Sequence, residues 1–173
     1  MHRASPGVEG FIFPLLIAAL ALAAAAGSKR QTPAYWQKKC AHIAAQAKRA
    51  HGDKRARLWA RLAGLDFKLA YADFAAGQAA AGGQALQQAQ RHAQRAMREL
   101  RAEAAKGKKS SMRRVEFGFH QISFRLRGLL QVTPFASHQA IRQLRGFFRQ
   151  ARGQLLTWMF QSKPLTLAPP GKR

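Results

Sequence analysis

Acidic residues are scarce in this chain: seven Asp plus Glu stand against 30 Lys plus Arg, for a formal net charge of +23 at pH 7. So one-sided a composition points to anionic partners, whether polymers, lipids or acidic proteins. Cysteine is nearly missing. The single Cys40 excludes an internal disulfide framework, so the core must rest on apolar packing even in an oxidising compartment. Three Val, five Ile and four Thr in 173 residues, with no sustained period-2 alternation, leave little from which to build strands. Ala, Leu, Gln and Arg fill the sequence instead, and these are helix formers. The fold class this composition implies is all-α.

One stretch carries no charge at all. Phe11 to Gly27 passes from large apolar side chains into an alanine run and is followed at once by Ser28, Lys29 and Arg30. A short positive head with Arg3, an apolar stretch and an A-x-A site at Ala24 to Ala26 form the pattern of an export signal. Residues 1–27 are therefore expected to be a signal peptide, cleaved near Gly27. The alternative is a retained inner-membrane anchor, although such a helix needs about 20 apolar residues and this run is shorter and holds Pro14. The expected location is the periplasm or the cell envelope.

The remainder divides into residues 28–160, expected to form one helical domain, and a tail, 161–173, whose Pro164, Pro169, Pro170 and Gly171 predict disorder. A first helix starts where Thr32 can cap and Pro33 can take the first helical position, and its apolar stripe is Trp36, Cys40, Ile43, Ala47 and Ala50. Asp53 is a good N-cap for a second, which runs to Gly77. Its leucine line, Leu58, Leu62, Leu65 and Leu69, is widened by Trp59, Phe67, Ala70 and Phe74, the arc of a central helix touched on more than one side. Gln78 to Gly83 reads as a turn or a frayed first turn. A third helix follows through Leu86 to Leu100 and ends before Gly107. A fourth carries Met112, Val115, Phe119, Ile122, Leu126 and Leu129; it breaks at Val132 to Phe135, after which Ser137 can cap a fifth that ends near Phe160. Five amphipathic helices with short connections predict an up-and-down antiparallel bundle, preceded by the apolar signal or anchor helix.

Within the second and third helices, Leu69, Ala70, Phe74, Gly77, Gly82 and Ala89 fall where a tetratricopeptide repeat places its packing residues, so this helical pair resembles one such hairpin over about 30 residues. The chain as a whole resembles small exported helical bacterial proteins. That likeness implies a fold and a compartment and brings no activity.

Sites for chemistry are few. The six histidines form no H-x-x-x-H pair and have no acidic companion at ligand spacing, so no metal and no other cofactor is expected. The seven carboxylates show no recognisable acid-base motif. Cys40 lies within an apolar seam and reads as a buried small side chain rather than a reactive thiol. Glu99 and Glu103 read as surface partners of Arg95 and Lys106. Binding is expected, and no enzyme activity.

Charge concentrates in the carboxy-terminal half, where residues 104–173 hold fourteen basic side chains and one acidic one, Glu116. Arg142, Arg145, Arg149 and Arg152 each follow an apolar position of the fifth helix and form a ridge suited to phosphates or lipid headgroups, or else a solvated face. On the fourth helix Phe117 and Phe124 lie one heptad apart among basic residues that include Arg113 and Arg127. They are expected to pack beneath another helix or, failing that, to form an exposed aromatic-basic patch.

These features predict a non-enzymatic binding or scaffolding protein of the envelope, offering a basic helical surface to an acidic protein, an anionic lipid or a glycan. A nucleic-acid-binding protein is the alternative, which export disfavours. A periplasmic helical chaperone ranks below both, because the L-T-x-x-Q motifs of that family are absent: Leu165-Thr166-Leu167-Ala168-Pro169 fails at its last position.

Overall fold

The computed structural model describes residues 32–161. The apolar run of residues 11–27 and nearly all of the Pro-containing tail lie outside the described residues. Five α-helices make up what is described: α1 (Pro33–Arg49), α2 (Gly52–Ala75), α3 (Ala79–Ala105), α4 (Met112–Val132) and α5 (His138–Phe160), with a 3₁₀ turn, Phe135–Ser137, before the last. The all-α helical bundle expected from composition is what forms.

Local signals set most of the boundaries. The Thr32 hydroxyl accepts from the Tyr35 N–H at 3.4 Å, and Pro33 opens α1 where its missing N–H costs nothing. Gly77, with φ of +75°, closes α2; its N–H donates to the Phe74 carbonyl and that of Gln78 to the Asp73 carbonyl. Gly107, with φ of +76°, ends α3 by the same pair of bonds to Ala104 and Glu103.

Three boundaries differ from expectation. Asp53 is not the cap of α2: the helix begins at Gly52, whose φ is +52°, and the Asp53 carboxylate accepts from the Ser110 hydroxyl at 2.6 Å. The Ala-Gly segment is helical from Ala79 onward, because Gly82 lies so close to Phe74 that the ring seals the turn. Ser137 precedes α5 but makes no capping bond; the 3₁₀ turn enters the helix directly.

Pairs of touching residues give the helix directions. Arg55 meets Glu99, Asp66 meets His92 and Phe74 meets Gly82, so α2 and α3 are antiparallel. Phe119 against Phe148, with Glu116 against Arg152, makes α4 and α5 a second antiparallel hairpin. The Lys68 ammonium over the Trp36 ring at 5.0 Å sets α1 antiparallel on α2. Asp53 beside Ser110 and Gly64 beside Ile122 show α2 and α4 running parallel.

The helices thus alternate in direction, as an up-and-down bundle requires. Their neighbours are not those of a simple ring, however, for α3 and α4 do not pack along each other. Instead α2 packs on α4 and α3 on α5, so one hairpin is stacked on the other and the segment Lys106 to Ser111 crosses the diagonal. Helix α2 touches α1, α3 and α4, which is the central place its wide apolar arc predicts.

Candidate functional site on the outer face of the last hairpin

Helix α4 buries the line from Met112 to Leu129 against α2 and α5. At 3.6 residues per turn Phe117 and Phe124 fall on the opposite side, and they are 59% and 67% exposed. Among the described residues no other helix covers the two rings, which leaves them exposed together with their basic neighbours. Arg113, His120 and Arg127 are exposed beside the two rings, on the flank that turns toward α5.

Arg142 and Arg149 of the ridge are exposed, whereas Arg145 and Arg152 are half-buried. Arg152 Nε donates to Glu116 Oε1, which places the ridge along the α4 side of α5. Patch and ridge, separate in sequence, are thus brought together on one surface across the α4–α5 seam. Two more aromatic rings belong to the same hairpin, Phe135 at 83% exposed in the 3₁₀ turn and Phe160 at 81% at the end of α5. With Val132, five of the six large apolar side chains exposed among the described residues lie on this hairpin, and Tyr71 alone lies elsewhere.

The same hairpin carries eight arginines and one acidic residue between Met112 and Phe160. Only Arg152 is ion-paired with another described residue. No acidic side chain among the described residues ion-pairs the other seven guanidinium groups, and Arg113, Arg127, Arg142, Arg145 and Arg149 among them lie on the side of the exposed rings. Such a face attracts anions at a distance and offers apolar contact once they arrive.

The described acidic side chains other than Glu116 lie on other faces. Asp66 is buried between α1, α2 and α3; His92 Nδ1 donates to its Oδ2 at 2.6 Å, and the Cys40 thiol lies close enough to feel its charge. The His92 ring stacks on Trp59 at 5.3 Å, and the Arg95 guanidinium lies over the same indole at 4.9 Å. Burial, and after it the Asp66 charge, push the Cys40 thiol up to about 12. A thiol so held is a proton donor and a poor nucleophile at neutral pH. Cys40 is half-buried rather than fully buried, and it packs against the core in the expected seam with the Asp66 charge nearby. Glu99 pairs with Arg55 at 2.9 Å instead of Arg95, and Glu103 does pair with Lys106 at 2.9 Å but is buried rather than on the surface.

Sequence spacing missed the Asp66–His92 pair, since 26 residues separate the two. The one available signal was that Asp66 and Asp73 occupy positions of the α2 stripe that should be apolar. Among the described residues no three His, Cys, Asp or Glu side chains converge as a metal site would require, and no helix is long and apolar enough to cross a membrane. Comparison with known protein families, with curated proteins and with solved structures finds no match for this chain.

Proposed function

We propose that this chain is a non-enzymatic binding or scaffolding protein of the cell envelope that presents the outer face of its last hairpin to an anionic partner: an acidic protein, an anionic lipid or a glycan. The observation that carries the reading is the coincidence, on one face, of exposed phenylalanines with arginines of which only Arg152 is ion-paired with another described residue. Arginines steer the partner in, and the rings of Phe117 and Phe124 add apolar contact that salt does not screen. The α2–α3 hairpin, read as one tetratricopeptide-like unit, serves as the scaffold behind this face. The apolar amino-terminal run delivers the protein to the envelope as a cleaved signal, or holds it there as an anchor.

Replacing four exposed arginines of this face together, Arg113→Gln, Arg127→Gln, Arg142→Gln and Arg149→Gln, is expected to leave the helical circular dichroism unchanged, since glutamine is a comparable helix former. Binding to vesicles of phosphatidylglycerol and phosphatidylcholine should weaken by up to about 1 kcal/mol per removed charge, with a shallower salt dependence. Unchanged binding to these vesicles, to an acidic glycan and to an acidic protein would remove the face from consideration. Tight, salt-resistant preference for duplex DNA would move the reading to nucleic-acid binding, and recovery of intact Met1 from soluble cytoplasm would overturn the envelope location.

A further inference from the structure

A second feature lies on a different face. Between α1 and α4, over the outward side of α2, runs an open groove of about 750 Å³. Its floor is apolar, with Leu58, Leu65, Phe67, Val115 and Ile122 lining it and Trp36 at one end. Two glycines keep the middle open. A Cβ on Gly118 would meet nothing within 4 Å, and one on Gly64 would meet only Ile122 Cδ1 at 4.0 Å.

Cations stand at both ends of this floor, and among the described residues no carboxylate lines it. Lys54, Arg57, Arg61 and Arg114 gather toward the amino ends of α2 and α4. Lys39, Lys68 and Arg125 stand at the far end, where Lys39 and Lys68 both approach the Trp36 ring, at 5.6 and 5.0 Å. None of these seven is ion-paired with another described residue. Arg57 Nε is moreover buried with no hydrogen-bond partner, a donor left unsatisfied within the groove wall.

We propose that this groove binds one phosphate-headed amphiphile with a single acyl chain, its head on Lys54, Arg57, Arg61 and Arg114 and its chain along the apolar floor toward Trp36. Charge complementarity selects an anion, and the guanidinium fork suits phosphate. The floor selects a chain. The open volume of the groove falls within the about 300–1,000 Å³ of small-ligand sites, a size that suits a single chain lying along the floor.

Titration with 1-oleoyl lysophosphatidate below its micelle concentration, followed by calorimetry, tests the assignment. The full chain should bind it at one site, monoolein with the same chain but no charge should bind at least about tenfold more weakly, and glycerol 3-phosphate should not bind measurably. Arg57→Gln with Arg61→Gln and Arg114→Gln should cost about tenfold or more in affinity. Gly64→Leu with Gly118→Leu fills the floor without altering charge and should abolish binding. Neither glycine has a positive φ, so both variants should keep the wild-type circular dichroism. Full affinity in the filled-groove variant, or equal affinity for monoolein, overturns the proposal. The site is independent of the outer-face reading, because the Arg113, Arg127, Arg142 and Arg149 variant should bind lysophosphatidate as the parent does.

Discussion

Asp66 shows how a single residue can join three helices. Its carboxylate is buried, and what makes that tolerable is the hydrogen bond from His92 on α3, while its charge reaches Cys40 on α1. Removing His92 strips one partner from a buried carboxylate and one face from the Trp59 stack. His92→Ala should therefore destabilise the protein by about 3 kcal/mol, read from urea unfolding. Asp73, seven residues further along α2, is buried too, but its Oδ1 has no hydrogen-bond partner. Burial raises its carboxyl above the ordinary 3.8. The folded state thus holds a proton more tightly than the unfolded one, and stability falls as pH rises from the ordinary value through the raised one. Asp73→Asn is expected to be more stable than the parent at neutral pH, with the gap closing toward about pH 4 in denaturation curves. Neither aspartate was legible in the sequence. A carboxylate on an apolar stripe looks like a break in the pattern, and the partner of Asp66, His92, lies on another helix at a separation that no local spacing encodes.

Among the elements, glycine separates two kinds of helix position. At Gly82 a Cβ would stand 2.8 Å from the Phe74 ring, so Gly82→Ala should destabilise by about 1–3 kcal/mol despite the better helix propensity of alanine. At Gly146 a Cβ would meet nothing within 4 Å, and Gly146→Ala should stabilise by about 0.5–1 kcal/mol. The opposite shifts in melting temperature check the pair. Gly82 is also why the start of α3 escaped sequence reading: two adjacent glycines in an alanine run signal a turn, and only the ring across the hairpin makes them helix. Signals that act within a few residues fared better. Thr32 with Pro33, Gly77 and Gly107 are legible because capping chemistry is local, whereas Asp53 misled because its best partner, Ser110, comes from another loop.

For the molecule as a whole, the heptad-like seams carried the all-α class and the helix count, yet not which helices are neighbours. A seam says that a helix has a buried side; it does not name what covers it. The ridge on α5 and the patch on α4 were accordingly read as two features, and the Glu116–Arg152 pair makes them one. The same limit hid the diagonal between α3 and α4, and that diagonal bears on how the chain finds its structure. Because each hairpin closes on itself, most packing joins segments near in sequence, and the stacking of one hairpin on the other can come last. The α2–α3 hairpin, with its alanine-rich seam and close helix pairing, is the natural first unit, and α4–α5 would then dock against a surface already formed. Native-state hydrogen exchange should find the slowest amides in the middle of α2 and α3, with α4 and α5 opening together at lower free energy. Uniform protection across both hairpins would mean that the stack forms as a single event. With the stepwise order, the face bearing Phe117 and Phe124 belongs to the half of the molecule that is last to assemble and first to let go.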